Sequence, residues 1–152
     1  MFANLLLENY FLPEISVRIN SDYDPKTENQ VAEIGLGRSI RGNREDSSKY
    51  MVELEVKVSP GLGNKKKQCP IIADATVRGY FRFDKLPAEE NEIAKYLMLN
   101  GAAILYGLVR AHVAQLTALS PYGRFILPPV NFLKIFPQEA RMQDKPELRR
   151  KS

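Results

Sequence analysis

Two residues have an imidazole or a thiol side chain, the groups most used for soft metal binding and common in base and nucleophilic catalysis. They are the single histidine, His112, and the single cysteine, Cys69. A zinc or iron site needs three or four such ligands, and a nucleophilic thiol needs a base beside it, so this pair supplies neither. We expect no metal and no cofactor. We predict that His112 is a packing or interface residue and that Cys69 is a small buried hydrophobe.

Other groups that resemble catalytic or ligand-binding motifs fit ordinary sheet positions better. Gly35, Gly37 and Gly42 lack the spacing of a dinucleotide-binding fingerprint, and no helix follows them. The acidic pair Glu53 and Glu55 alternates with apolar residues, as solvated positions on a strand do. The sequence therefore predicts a protein that is not an enzyme.

Composition limits the classes of protein that remain. The 152 residues fit one domain, and we predict it over residues 1–143, followed by a charged, mobile tail over residues 144–152. A net charge of +4 is too small an excess for a nucleic-acid binder. A single cysteine favours a reducing compartment, and no run approaches the roughly 18 apolar residues of a membrane span. We therefore expect a cytoplasmic protein without membrane insertion or nucleic-acid binding.

Four segments before Pro87 alternate apolar and polar side chains with a period of two. The first includes Ile15, Val17 and Ile19, and the clearest runs from Val52 to Val58. Strict alternation predicts strands of an antiparallel sheet with one buried face. Pro13 removes a ladder donor, so we expect a bulge or an edge position there. The segment Ser21–Glu28 has no period and predicts a crossover loop.

After Pro87 the apolar residues recur at helical spacing. We predict a long helix from about Ala88 to Leu119 that is loosened near Asn100–Gly101. The prolines at 128 and 129 keep the next segment extended, and Asn131 caps a second, short helix. The predicted fold is α+β, with a four-stranded antiparallel sheet covered on one face by a long broken helix and a second short helix.

The segment Leu97 to Phe136 carries the most specific motif. A broken apolar helix with Ile104-Leu105 and Arg110 leads through a turn into Leu-Pro-Pro-Val-Asn-Phe at residues 127–132. This segment, preceded by four strands with a crossover loop after the first, resembles the SecB family of bacterial export chaperones. The resemblance implies a homotetramer built as a dimer of dimers, with the long helices at the dimer–dimer contact. It also implies an ATP-independent holdase that keeps client polypeptides unfolded.

A holdase binds many sequences, so it needs long apolar grooves and adaptable contacts. For each candidate groove residue, an ordinary core position is the alternative. We expect Phe132 to anchor the second helix and Phe136 to face the groove. The candidate groove residues are Tyr23, Leu36, Ile40, Phe125, Leu127, Phe132 and Phe136.

The long helix has apolar residues on more than one side, although a helix covering one sheet buries a single stripe. The surplus predicts an oligomer interface. Its candidate residues are Ile104, Leu105, Leu108, Val109, His112 and Val113.

The predicted wet face of the sheet departs from the family pattern, in which this face is an acidic dock for the translocase motor SecA. This weakens the expectation of SecA as a partner. An antitoxin of a toxin–antitoxin system is the alternative dedicated client, and a non-chaperone protein-binding scaffold is a further alternative. Five acidic residues on the face are balanced by five basic ones: Glu14, Glu33, Glu53, Glu55 and Asp74 against Arg18, Arg41, Lys57, Arg78 and Arg82.

Overall fold

A single antiparallel sheet and one long helix make up most of the structure. The computed structural model describes residues 4–27 and 29–135. The predicted boundary between residues 143 and 144, and the tail beyond it, lie outside the described residues. The strands are β1 (Leu5–Ile19), β2 (Glu33–Gly42), β3 (Lys49–Ser59) and β4 (Ile71–Phe83); the helices are α1 (Glu90–Lys95), α2 (Ala102–Thr117) and α3 (Phe132–Ile135).

The strand order in the sheet is β1-β4-β3-β2. Consecutive strands from β2 to β4 are therefore neighbours, while β1 and β2 lie at opposite edges. Residues 20–32 must cross one end of the sheet to join those edges, which confirms the predicted crossover loop. A short 3-10 helix, Gly63–Gln68, lies in the connection between β3 and β4.

Burial alternates along the two central strands as the period predicted. On β3 the apolar residues from Val52 to Val58 are fully buried, and the residues between them are not. The prediction is only partly right for β1, where Ile15 and Val17 are half-buried and Ile19 is exposed. An edge strand has a neighbour on one side only, so its apolar side chains have fewer partners.

Pro13 interrupts the pairing of β1 with β4. The register of the two strands shifts between Phe11 and Glu14, and again between Leu7 and Asn9. Both expectations for Pro13, a bulge and an edge strand, are confirmed.

The predicted long helix is continuous from Glu90 to Thr117. A π-helical segment, Tyr96–Gly101, separates α1 from α2 and confirms the predicted loosening. By length and composition this helix could cross a membrane, as core helices of a domain also can, and 44% of its most apolar stretch is buried inside the molecule. Leu105, Val109 and Val113 pack against the sheet, as apolar helix residues do in the core of a domain.

The helix lies so close to the sheet that it requires a glycine beneath it. A Cβ atom on Gly79 would stand 2.6 Å from Cδ2 of Leu105 and 2.8 Å from Cε2 of Phe81. Both side chains are fully buried and have little room to move.

We therefore expect Gly79→Ala to lower the free energy of unfolding by about 1–3 kcal/mol, the usual cost of overpacking a core. Gly35→Ala is the control, because its Cβ would make only ordinary contact, 3.7 Å from Cβ of Lys57. That change should be neutral or slightly stabilising. Urea denaturation of both variants measures the difference, and equal effects would contradict the close approach.

Candidate functional site

Cys69 and His112 both contribute to the packing of the fold. Cys69 is fully buried, its Sγ–H donates to the carbonyl oxygen of Ile71 at 3.2 Å, and burial raises the pKa of the thiol. Its thiolate is therefore disfavoured, and the prediction of a small buried hydrophobe is confirmed. His112 is half-buried, with Nε2 3.4 Å from the Tyr10 hydroxyl, and joins α2 to β1. Residues 4–27 and 29–135 contain no group of three or more His, Cys, Asp or Glu side chains that could hold a metal.

The crossover loop is fastened to the connection between β3 and β4. The side-chain amide of the buried Asn20 donates to the carbonyl oxygens of Lys66 and Cys69, both at 2.8 Å. At the other end of the loop, the backbone N–H of Val31 donates to the carbonyl of Gln68 at 3.0 Å. These bonds fix both ends of the loop, on either side of Tyr23.

An aromatic pair joins the crossover loop to the turn that follows α2. The rings of Tyr23 and Tyr122 meet edge to face, with centroids 4.7 Å apart. Tyr23 is half-buried and Tyr122 is exposed. The pair shows that the crossover loop and the C-terminal end of α2 lie at the same end of the molecule.

The segment after α2 turns back along the helix and is held by three helix side chains. The hydroxyl oxygen of Thr117 accepts from the N–H of Phe125 at 2.8 Å, and Nε of Arg110 donates to the carbonyl of Leu127 at 3.0 Å. The hydroxyl of Tyr106, whose pKa is raised by burial, donates to the carbonyl of Pro128 at 2.6 Å. The sequence patterns gave no signal for these bonds.

This returning segment, Phe125–Val130, runs along one flank of α2. An α-helix turns by about 100° per residue, so Tyr106, Arg110 and Thr117 share one flank of α2. His112 lies on the opposite flank, where it contacts β1. The segment therefore lies on the flank of the helix away from β1, and its buried side chains Phe125 and Leu127 belong to the core.

Four of the predicted groove residues are in that core. Ile40, Phe125, Leu127 and Phe132 are buried, because the sheet face must be covered beyond the reach of one helix. Tyr23 and Leu36 are half-buried and keep part of their surface open. Phe136 lies outside the described residues. The groove role of these residues stays a prediction, with the buried ones able to act only as its support.

Exposed apolar residues that were not predicted surround the C-terminal end of α2. We call Leu116, Leu119, Tyr122 and Ile126 the apolar rim; Leu116 is 54% exposed, Leu119 98% and Ile126 53%. Ile126 alternates with the buried Phe125 and Leu127, a period-two signal that could have identified it. Leu119 is exposed because the helix ends at Thr117, two residues before the predicted end. Neighbouring exposed apolar side chains are typical of an interaction surface.

The predicted interface residues fall into two rows of α2. Leu105, Val109 and Val113 are buried against the sheet, so within one subunit they belong to the core. Ile104 is exposed, and Leu108 and His112 are half-buried. This second row could contact another subunit, and its interface role stays a prediction.

The sheet face turned away from the helix, which we call the open face, carries mixed charges. Arg78 pairs with Glu53 at 2.5 Å, and Arg82 with Glu8 at 3.3 Å. Beside them Phe11 is stacked on Tyr80, with centroids 5.9 Å apart. Cations and anions neutralise one another here, so the face presents no acidic field.

A family model described as preprotein translocase subunit SecB matches residues 3–143. The chain belongs to the SecB family. The resemblance inferred from residues 97–136 is thereby confirmed over almost the whole chain.

Known proteins similar to this SecB-family chain include one sequence relative and two solved structures. Uncharacterised protein MJ0357 of Methanocaldococcus jannaschii is 24% identical over 127 residues, covering 84% of this chain and 79% of that protein. The Mycobacterium tuberculosis SecB-like chaperone Rv1957, solved with a ChAD peptide from the HigA1 antitoxin, superposes with a TM-score of 0.62 at 16% identity, covering 84% of this chain and 91% of that one. A Streptococcus agalactiae protein of unknown function gives a TM-score of 0.51 at 11% identity, covering 82% and 97%. These structures confirm the predicted α+β fold.

The first residue of the short helix α3 is buried and the second is exposed. Phe132 is 6% exposed and its ring packs edge to face on Tyr106, with centroids 5.9 Å apart, whereas Leu133 is 65% exposed. The side-chain oxygen of Asn131 accepts from the N–H of Leu133 at 3.0 Å, which confirms the predicted cap.

Phe132→Ala should therefore lower the free energy of unfolding by about 3–5 kcal/mol, as removal of a buried phenylalanine does. Leu133→Ala, one residue further along the same helix, should change it by less than about 0.5 kcal/mol. Guanidinium denaturation measures both values. A small loss in the Phe132 variant would show that the residue is not an anchor.

Proposed function

We propose that this SecB-family chain is an ATP-independent holdase that binds unfolded or partly folded polypeptides. The observation that carries the proposal is the apolar rim. It lies where the ring contact of Tyr23 and Tyr122 joins the crossover loop to the turn after α2. Apolar surface of this kind binds many sequences, because it does not depend on hydrogen bonds to particular side chains. The protein acts by binding and not by catalysis, and a cytoplasmic location suits the single thiol of Cys69.

The proposed groove is formed by residues from different elements of the fold. Half-buried Tyr23 and Leu36 contribute surface from the crossover loop and from β2. Tyr122 and Ile126 contribute exposed surface from the segment after α2. Below them the buried Phe125, Leu127 and Ile40 keep the groove in shape.

A more specific candidate is a chaperone dedicated to the antitoxin of a toxin–antitoxin system. The fold shared with the M. tuberculosis chaperone, solved with a peptide from an antitoxin, favours this candidate. The mixed charges of the open face favour it over export through SecA, because that face lacks the acidic field expected of a SecA dock. A scaffold for folded partners would need a compact, specific epitope instead of the long apolar groove proposed for this chain.

The holdase proposal predicts separate effects on client binding and on stability. Leu116→Ser combined with Ile126→Ser should weaken binding of a chemically denatured client at least about 10-fold, because each buried aliphatic side chain contributes about 1.5–3 kcal/mol. The free energy of unfolding should change little, since both residues are exposed. Light scattering of an aggregating client and titration of a labelled one measure the effect.

The matched control is Phe11→Ser combined with Tyr80→Ser, which removes exposed apolar side chains from the open face. This variant should suppress aggregation as well as the wild type does. If wild-type protein at equimolar ratio leaves the aggregation of several clients unchanged, general holdase activity is excluded. Activity toward an antitoxin alone would then identify the dedicated chaperone.

We also propose a homotetramer in which the second row of α2, formed by Ile104, Leu108 and His112, contacts another subunit. Ile104→Asp should shift sedimentation at micromolar concentration from tetramer toward smaller species, because a buried carboxylate without a partner is strongly unfavourable. Leu62→Asp places the same charge on an exposed leucine in the β3–β4 connection and should leave the tetramer intact. A wild-type protein that sediments as a monomer would refute the proposal.

A further inference from the structure

Three consecutive lysines lie in the connection between β3 and β4. Lys65, Lys66 and Lys67, which we call the lysine tip, belong to the short 3-10 helix of that connection, and all three are exposed. None of them forms an ion pair with another described residue, whereas two arginines of the open face have carboxylate partners. Three neighbouring like charges repel one another, so an anion beside the lysine tip would be bound favourably.

Cations are in excess over the whole of this end of the molecule. It is formed by the crossover loop (20–32), the β3–β4 connection (60–70) and the turn after α2 (118–124). The described residues of these segments include five cations and two carboxylates, which leaves a net charge of +3. The charged residues are Lys26, Lys65, Lys66, Lys67 and Arg124 against Asp22 and Asp24.

The lysine tip is linked to the apolar rim through the crossover loop. The carbonyl oxygen of Lys67 accepts from the backbone N–H of Asp24 at 3.0 Å, and the ring centroids of Tyr23 and Tyr122 are 4.7 Å apart. Together with ordinary covalent dimensions, these contacts put the Tyr122 ring within about 15 Å of the Lys67 carbonyl. An extended chain covers that distance with about five residues.

We propose that the protein prefers client segments in which acidic residues lie about five residues from an apolar stretch. The apolar stretch contacts the rim, and the carboxylates meet the lysine tip. This inference rests on the proposed function and adds a charge preference to it. Apolar contacts alone discriminate poorly between clients. The lysines supply the discrimination, because they attract an acidic flank and repel a basic one.

A linear polypeptide fits this surface better than other anions do. A nucleic acid would need a denser basic patch than a net charge of +3 provides. Anionic lipid attracts lysines, but the rim continues back along α2. Ile126 lies between the levels of Thr117 and Arg110, which are about 10 Å apart along the helix. A flexible chain can follow that surface, whereas a flat membrane at the lysine tip would leave Ile126 uncovered.

The test uses three fluorescein-labelled peptides with the same apolar centre. A spacer of about five glycine and serine residues on each side leads to three glutamates, three glutamines or three lysines at each end. Identical ends remove any dependence on the direction of binding. At low ionic strength the glutamate version should bind at least about 10-fold tighter than the lysine version, because one forms ion pairs with the tip and the other is repelled. The difference should disappear in 1 M salt, where the Debye length is about 3 Å.

The triple variant Lys65→Glu, Lys66→Glu, Lys67→Glu should reverse this order, so that the lysine version binds at least about 10-fold tighter. The glutamine version should bind as it does to the wild type, because the rim is unchanged. That unchanged affinity also shows that the variant is folded. The backbone carbonyls that hold the crossover loop are retained in the variant.

The matched control combines Lys85→Glu, Lys95→Glu and Lys134→Glu, which changes the net charge equally at exposed lysines outside the three segments. It should keep the wild-type order, and a reversed order in the control would overturn the inference. Equal affinity of the wild type for all three peptides would overturn the charge preference and leave the holdase proposal standing. Failure of all three peptides to bind would count against both. Equal peptide affinities with binding to phosphatidylglycerol vesicles that only the lysine-tip variant loses would assign the lysines to a membrane instead.

Discussion

One helix is too narrow to cover a four-stranded sheet, and much of this structure follows from that mismatch. The outer strands of such a sheet are about 14 Å apart from axis to axis, while an α-helix with its side chains is about 10–12 Å wide. The helix α2 packs over β3, β4 and β1, and the segment from Phe125 to Val130, bonded along one flank of the helix, adds further buried side chains to the core. Covering the sheet thus takes an extended strip of chain whose side chains alternate between the core and the solvent.

The apolar surface proposed to bind clients arises from the same arrangement. Phe125 and Leu127 face inward to complete the core, so Ile126 between them must face outward. The helix ends soon after it passes the sheet, which leaves Leu119 without a buried position. The prolines and the side chains of α2 prevent this strip from refolding over itself. Stable packing and exposed apolar surface are therefore produced by one segment and not by competing parts of the chain.

The elements were predictable from the sequence because their signals are local. Alternation identified β3 and β4, the change of period after Pro87 identified the long helix, and Pro13 correctly marked a bulged edge. The burial of Leu127 was not predictable, because it depends on contacts with residues far away in sequence. The same holds for Tyr106 and Arg110, whose polar groups bind carbonyls that only the folded chain brings near them. Ile19 was expected on the buried face of its strand and is exposed. The alternating pattern cannot reveal that a strand lies at the edge of the sheet.

The buried amide of Asn20 has a consequence for the thermodynamics of association. A loop that becomes ordered only when it meets a partner loses conformational entropy at that moment, and each immobilised side chain weakens binding by about 0.5–1.5 kcal/mol. Here the start of the loop is already held within the chain, because Asn20 joins it to the carbonyls of Lys66 and Cys69. Under the proposed function, the entropic cost of association falls mainly on the disordered partner. Such a rigid receptor gains a larger share of its contact energy as affinity, even when each contact is weak and unspecific.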